Sequence, residues 1–330
     1  MIERVPVDGD YGLPAEPDWR ETDWSQHTHD AVIAERRVRY LDVGPGASRS
    51  GSATRKSASS ARPGELCFVL VHGMGGRWKH WLECIPALAE HARVLALDLP
   101  GFGASQSPAG GASLDGFADT AAELAHSLGI ERVVLVGHSM GGPIAIRFAA
   151  RHPELAQAIV LVAGAVFQFS ALLGLREVLR FAVKRPGGTA AIAMEIATAG
   201  LPAPAVARQS IVRVPLLRQL FLAPYVRNPS AFAADTAHLI VDGAGAPGVL
   251  PTAYAIGRSD PREGIELVRC PILLLAGDSD RISPLPDTEA FQREVPQAQT
   301  VVLEGCGHML MLERPRAVNA QLLAFARALA

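Results

Sequence analysis

The chain has 330 residues, of which 31 are Lys or Arg and 33 are Asp or Glu, so its formal net charge is −2. Hydrophobic residues make up 49% of the chain and charged residues 19%. Because this composition can bury a large core, it excludes intrinsic disorder. A net charge so close to zero provides no strongly basic face, which excludes nucleic acid as a partner.

Four cysteines occur without any paired spacing: Cys67, Cys84, Cys270 and Cys306. We expect them to be reduced and mostly buried thiols. The first residues contain no apolar segment of the signal-peptide type. Residues 158–175 carry no charge, but their β-branched beginning predicts a buried strand followed by a loop rather than a membrane span. We therefore expect a cytoplasmic protein without an integral membrane segment.

The first elements in chain order are an extension, an edge strand and a loop. Residues 1–30 are acidic and rich in turn-forming residues, which predicts an N-terminal extension. Residues 31–43 alternate loosely between apolar and polar side chains, which predicts an amphipathic antiparallel strand at a sheet edge. Residues 44–64 have almost no apolar content beyond alanine and predict a flexible surface loop inserted into the core.

From residue 67 onward, short apolar runs predict strands, and helical stretches separate several of them. The runs are 67–71, 94–97, 133–136, 159–162, 272–275 and 300–303, and the predicted helices include 113–128 and 143–150. This alternation predicts a mostly parallel central sheet that is covered by helices on both faces. Because ligands bind beyond the carboxyl ends of such strands, we expect the chemistry directly after these runs.

Between residues 165 and 262, apolar residues recur at helical spacing and are interrupted by prolines. This predicts a helical insertion after the sixth strand, with residues 31–164 and 263–330 forming the core. The insertion carries ten Lys or Arg against five Asp or Glu. The sequence leaves open whether this positive charge attracts an anionic substrate, faces an anionic membrane surface or is only a solvated face.

The strongest chemical signal is the segment VVLVGHSMGG at residues 133–142, in which an apolar strand runs into a helix. A serine on such a tight turn has a strained backbone, so its neighbours Gly137 and Gly141 have to be small. The following helix points its first N–H groups towards any negative charge that forms beside Ser139. The pattern therefore indicates a nucleophilic serine rather than a turn that only packs a helix on a strand.

A nucleophilic serine needs a base, and the base needs an acid that orients it. The late strand 272–275 ends near two candidates, and we prefer Asp280 because it is clear of the strand, whereas Asp278 is expected to cap the loop. His308 lies on a glycine-flanked loop after the last predicted strand and is the predicted base. No spacing of histidine or cysteine predicts a metal site, and no cofactor is expected.

These motifs resemble those of the α/β-hydrolase fold superfamily, in particular its capped serine esterase and lipase-like branch. The segments that carry the resemblance cover about half of the chain: His72-Gly73-Met74-Gly75-Gly76, residues 98–105, the serine turn, residues 277–280, and Gly307-His308 with Glu313-Arg314-Pro315. The resemblance implies a triad of Ser139, His308 and Asp280. It also implies an oxyanion hole from the backbone N–H groups of Met74 and Met140, and a helical cap at residues 165–262.

The expected activity is hydrolysis of carboxylic esters of a hydrophobic or amphipathic small molecule through an acyl-enzyme. Four side chains are candidates for substrate binding: Trp78, His138, Phe167 and Phe169, although Trp78 is equally suited to packing the next helix. The serine at position 139 speaks against relatives with an aspartate nucleophile, such as haloalkane dehalogenases and epoxide hydrolases. The alternatives are carbon–carbon bond, thioester or lactone hydrolysis, acyl transfer, perhydrolysis, or a non-catalytic ligand-binding protein. We expect a monomer or a homodimer.

Overall fold

Nine strands form one sheet in the computed structural model, which describes residues 2–45, 64–164, 179–180, 182–183, 189, 193–194, 197–201 and 204–329. The strands are Ile2–Val5 (β1), Thr28–Ile33 (β2), Arg36–Val43 (β3), Leu66–Val71 (β4), Arg93–Leu97 (β5), Arg132–His138 (β6), Ala156–Val162 (β7), Ile272–Gly277 (β8) and Gln299–Leu303 (β9). Their order across the sheet is β1-β9-β8-β7-β6-β4-β5-β3-β2. The pairs β2–β3 and β3–β5 are antiparallel and the others are parallel. The mostly parallel sheet and its six apolar strands are thereby confirmed.

Helices cover both faces of this sheet. The described α-helices are Ile85–Ala89 (α1), Leu114–Ser127 (α2), Gly141–Arg151 (α3), Ala205–Arg213 (α4), Pro215–Leu222 (α5), Ala234–Val241 (α6), Val249–Ile256 (α7), Leu285–Glu294 (α8), Leu310–Glu313 (α9) and Pro315–Arg327 (α10). In β4, Cys67, Val69 and Val71 pack in the core that contains α2 and α3. Phe68 and Leu70 pack in the opposite core, which contains α1 and α10. Because side chains alternate along a strand, one continuous apolar run serves two cores.

The two edges of the sheet differ from the sequence prediction. Residues 31–43 belong to a hairpin of β2 and β3, which turns at Ala34 and Glu35, both with positive φ. At the other edge, β1 pairs in parallel with β9, within the segment that the sequence indicates only as an extension. A four-residue strand with two charged side chains carries too little periodicity to be recognised. With β1 included, the helical insertion follows the seventh strand of the chain rather than the sixth.

Buried charges attach the N-terminal segment to the core. The Arg314 side chain is fully buried, and its guanidinium donates to Asp10 at 2.7 Å and to the carbonyl of Pro6 at 2.8 Å. The buried carboxylate of Glu83 accepts from the indole N–H of Trp19 at 3.0 Å. Charged hydrogen bonds of this kind are among the stronger ones in proteins. The segment before β2 is therefore packed as part of the core.

The insertion is helical where it is described. The helices α4 to α7 lie between β7 and β8 in the chain. Within the described ranges, no helix combines the length and the apolar character that crossing a bilayer requires. Residues 46–63 of the predicted loop and residues 165–178 of the predicted cap, including Phe167 and Phe169, lie outside the described residues.

Candidate active site

Ser139 lies at the sharp turn from β6 into α3. Its φ is +52°, in the left-handed region that non-glycine residues rarely adopt, and its backbone N–H donates to the carbonyl of Val162 at 2.9 Å. The turn is so tight that a Cβ on Gly137 would be 1.9 Å from the carbonyl oxygen of Gly141. Only glycine fits there, which explains why the small residues flank the serine.

The loop after β4 lies directly against this turn. A Cβ on Gly73 would be 3.0 Å from the Cβ of Ser139 and 3.0 Å from Nδ1 of His138. The next residue in that loop is Met74, and Met140 is the buried residue that follows Ser139. The two backbone N–H groups predicted as an oxyanion hole therefore belong to the two loops that meet at the serine.

Buried polar side chains brace these loops. The His72 ring donates from Nδ1 to the carbonyl of Gly73 at 2.7 Å and accepts at Nε2 from the N–H of Leu99 at 3.0 Å. Burial lowers the pKa of His72 to about 3, so the ring is neutral and can serve as donor and acceptor at once. Asp98 accepts from the N–H of Trp78 at 2.8 Å, and burial raises the pKa of this carboxyl. These groups hold the loops and do not face the cavity.

His308 follows β9 and is hydrogen-bonded to Asp280, which follows β8. The distance from Nδ1 of His308 to the Asp280 carboxylate is 2.8 Å, and the two side chains are 1% and 0% exposed. The other oxygen of Asp280 accepts from the N–H groups of Ile282 and Ser283 at 2.7 and 2.9 Å. Because a carboxylate only accepts, Nδ1 of the histidine carries the proton and Nε2 can accept one. Asp278 is exposed and is not the acid at the imidazole.

His138 connects the serine turn to the histidine loop. Its Nε2 donates to the backbone carbonyl of His308 at 3.0 Å, and the two ring centroids are 4.9 Å apart. Burial, followed by the charge that His308 can carry, lowers the pKa of His138 well below its usual value. His138 is therefore a neutral imidazole, and it lies in the wall of the site as the sequence suggests.

A fully buried carboxylate, Glu313, holds the histidine loop from behind. Its oxygens accept from the N–H groups of Gly307 at 2.9 Å and Met309 at 3.1 Å, the two neighbours of His308. Burial raises the pKa of Glu313 to about 7, against the opposing effect of the N–H groups that it binds. The carboxylate thus restrains the backbone on both sides of the histidine.

The same carboxylate reaches two other parts of the chain. It accepts from the N–H of Arg227 in the insertion at 2.7 Å and from the hydroxyl of Tyr11 in the N-terminal segment at 2.7 Å. The backbone N–H of His308 donates in turn to the carbonyl of Tyr225 in the insertion at 2.8 Å. The histidine loop, the insertion and the N-terminal segment therefore meet at one buried point.

A cavity of about 320 Å³ lies between these loops and the insertion. Its wall includes Met74, His138 and His308 from the core, and apolar side chains of the insertion such as Ile211 and Phe221. A mostly apolar wall with a few polar groups is typical of a small-molecule site. The three predicted site residues in the wall lie on different loops, so the fold brings them together.

Other residues of the wall differ from the prediction. Trp78 is buried in the core beside α1 and is not part of the wall, because Asp98 holds its backbone beneath the loop. His80, by contrast, lines the cavity, as do Thr198 and Tyr225, whose hydroxyl groups are 2.6 Å apart. The sequence contains no periodic or motif signal that distinguishes His80 from a structural histidine.

Metal and thiol chemistry place requirements on the possible metal ligands and on the thiol near the site. Among those residues, no group of three or more His, Cys, Asp or Glu side chains is arranged to hold a metal ion. Cys306 is fully buried near the histidine loop, and burial raises the pKa of its thiol well above the usual value. A thiol in this environment stays protonated and is a poor nucleophile.

Comparisons with known proteins agree with this architecture. The family model of the alpha/beta hydrolase fold matches residues 67–315. The chain is 29% identical over 307 residues to the dihydrolipoyllysine-residue acetyltransferase component of the acetoin cleaving system of Pseudomonas putida, covering 90% of this chain and 76% of that protein. It is 25% identical over 312 residues to a soluble epoxide hydrolase of Corynebacterium, covering 90% and 96%. A thermophilic esterase from Thermogutta terrifontis has a TM-score of 0.64 at 24% identity, covering 92% and 98%.

The raised pKa of Glu313 predicts a pH-dependent stability. At pH values between the ordinary pKa of 4.5 and the raised pKa of about 7, the folded protein binds the Glu313 proton more tightly than the unfolded chain does. Its contribution to the free energy of unfolding is therefore largest below the lower value and is lost as the pH rises through the higher one. The Gln of Glu313→Gln does not titrate. Relative to this variant, the free energy of unfolding of the wild type should fall by up to about 3 kcal/mol as the pH rises from 4.5 to about 7.

Urea unfolding of both proteins at pH values below and above this window measures the difference. Glu304→Gln is the matched control for the change from Glu to Gln, because Glu304 lies near the same loop but is partly exposed. If the difference between the wild type and Glu313→Gln did not change with pH, the carboxylate would not be titrating in a buried environment.

Proposed function

Because the chain belongs to the α/β-hydrolase fold family and is an enzyme of this type, we propose that it is a serine hydrolase. Its substrates are carboxylic esters with a hydrophobic or amphipathic body, and the reaction passes through an acyl-enzyme. The observation that carries this proposal is the buried hydrogen bond of 2.8 Å between His308 and Asp280, on loops beside the strained turn at Ser139.

In the proposed mechanism, Nε2 of His308 takes the hydroxyl proton as the oxygen of Ser139 attacks the ester carbonyl carbon. Asp280 keeps the imidazole in the required tautomer and stabilises its positive charge. The backbone N–H groups of Met74 and Met140 donate to the developing oxyanion. When the tetrahedral intermediate collapses, His308 returns the proton to the leaving alcohol. Water, activated by the same histidine, then releases the acid from the serine.

The apolar wall of the cavity supports a hydrophobic group on the substrate. The charges of the insertion are partly used to hold it in place, because Arg77 of the core pairs with Asp242 and Arg20 of the N-terminal segment pairs with Asp235. Arg208 lies in the cavity wall. Among the residues that the structure describes, one basic side chain of the insertion therefore lies at the site itself.

Acyl transfer is the second candidate, because the relative from Pseudomonas putida is named as an acetyltransferase component. Both reactions share the acyl-enzyme and differ only in whether water or another acceptor receives the acyl group. Product analysis of p-nitrophenyl ester turnover in the presence of added alcohols and thiols separates them. Free acid as the sole product supports hydrolysis, whereas a new ester or thioester that dominates over the acid supports transfer.

The role of Ser139 predicts the outcome of its replacement. In Ser139→Ala, turnover of p-nitrophenyl esters should fall by roughly a thousandfold or more, because the attacking oxygen is absent. Release of p-nitrophenol measures the rate, and thermal unfolding checks that the variant is folded. The control Ser127→Ala changes an exposed serine at the end of α2 and should keep full activity.

Two results would count against the proposed nucleophile. Undiminished turnover in folded Ser139→Ala would exclude this serine from the chemistry. Failure of a fluorophosphonate probe to label Ser139 in the folded wild type would favour a non-catalytic ligand-binding protein.

The role of His308 predicts a loss of activity in acid. A protonated imidazole cannot accept the serine proton, so the turnover rate should fall as the pH is lowered from about 8 to about 5. Initial rates with one p-nitrophenyl ester, each corrected for the folded fraction at that pH, measure this profile. A rate that stays constant over this range would contradict a histidine base.

A further inference from the structure

His80 lines the cavity but has no part in the proposed triad or oxyanion hole. It lies in the short 3₁₀ helix Trp78–Trp81, and it is 5% exposed. Neither of its ring nitrogens makes a hydrogen bond of good geometry with a described residue, although the backbone carbonyl of Leu239 lies close enough to the ring to affect its pKa. Since native proteins leave few buried polar atoms without partners, such a side chain in the wall of a binding cavity needs an explanation.

The surroundings of His80 keep its ring uncharged. Burial, followed by the nearby Arg77, lowers the pKa of the imidazole to about 4. Asp242 and the carbonyl of Leu239 act in the opposite direction, but their effect is smaller. At neutral pH the ring therefore offers one N–H donor and one lone pair.

The other polar side chains of the wall each have at least one partner within the protein. The His308 ring is bonded to Asp280, and the hydroxyl groups of Thr198 and Tyr225 are bonded to each other. Nδ1 of His138 lacks a described partner, but it is packed against the backbone of Gly73. His80 is thus a polar group of the wall that the fold leaves available to a ligand, among mostly apolar neighbours.

We propose that His80 binds a hydroxyl group carried by the substrate, so that the preferred esters are hydroxylated ones. A hydroxyl both donates and accepts, and it therefore satisfies a neutral imidazole in either tautomer, whereas a carbonyl oxygen satisfies only a ring N–H. A substrate without this group leaves a buried ring nitrogen unpaired, which is unfavourable. The inference rests on the proposed ester hydrolysis and adds a feature of the substrate to it.

The experiment compares kcat/KM for matched esters. One arm uses p-nitrophenyl hexanoate and its analogues with a single hydroxyl either close to the carbonyl or at the end of the acyl chain, because a hydroxyl on the fourth or fifth carbon would close a lactone and release p-nitrophenol without the enzyme. The other arm uses hexyl hexanoate and analogues with the hydroxyl on the alcohol portion. The wild type should prefer at least one hydroxylated ester by about tenfold. The arm in which the preference occurs identifies the half of the substrate that His80 contacts.

The variant His80→Leu removes both ring nitrogens at nearly unchanged volume. It should abolish the preference, because the hydroxylated ester loses its partner and the plain ester no longer leaves a buried ring nitrogen unpaired. His80→Gln, which keeps a donor and an acceptor, should retain part of the preference. Ile240→Leu reshapes the same wall without changing a polar atom and should leave the ratio of the two rates unaltered. Thermal unfolding verifies that each variant is folded.

If the wild type cleaves these esters, three outcomes would overturn the inference: no hydroxylated ester preferred by the wild type, an unchanged ratio in His80→Leu, or an equal loss for both esters. An equal loss would mean that His80 binds water or supports the loop. Calorimetric binding of the same esters to Ser139→Ala separates this result from a failure of the proposed function. Tighter binding of the hydroxylated ester that disappears in Ser139→Ala with His80→Leu would support the His80 site even if the wild type cleaved neither ester.

Discussion

The buried carboxylate of Glu313 is the interaction on which the arrangement of the site depends. It has no contact with solvent, so hydrogen-bond donors have to replace the water that it would otherwise bind. These donors come from the two neighbours of His308, from Arg227 in the insertion and from Tyr11 near the N-terminus. Displacing any one of these parts would leave a buried charge or a buried N–H group unpaired. The positions of the three parts are therefore coupled.

The imidazoles around the serine differ in the groups that surround them. His72, His80 and His138 are enclosed by the protein, and burial lowers the pKa of each so that all three are neutral. His308 differs because a carboxylate that is itself held by two backbone N–H groups faces its Nδ1. In the proposed mechanism the positive charge forms on this ring, where the carboxylate stabilises it. The neutral rings can only donate or accept hydrogen bonds, which suits them to bracing loops and to contacting a substrate.

Much of the fold could be predicted because its signals are local. Six apolar runs predicted six strands of the sheet, and the glycines around Ser139 reflect a turn in which a Cβ would collide with backbone. The strand β1 could not be predicted, because four residues with two charges have no clear pattern. The sequence left the role of Trp78 open and gave no signal for His80, since one short 3₁₀ helix turns the tryptophan into the core and the histidine into the cavity wall.

The sequence by itself determined the order of the elements and led to the chemistry proposed for the site. Apolar runs and the glycines around the serine are patterns of neighbouring residues. The order of serine, acid and histidine along the chain is likewise visible in the sequence. The tertiary structure decided which acid reaches His308, since Asp280 is buried at 2.8 Å while Asp278, two residues away, is exposed. It also brought together Tyr11 and Glu313, which are 302 positions apart in the chain. Such contacts depend on how distant segments of the chain pack, and no local sequence pattern predicts them.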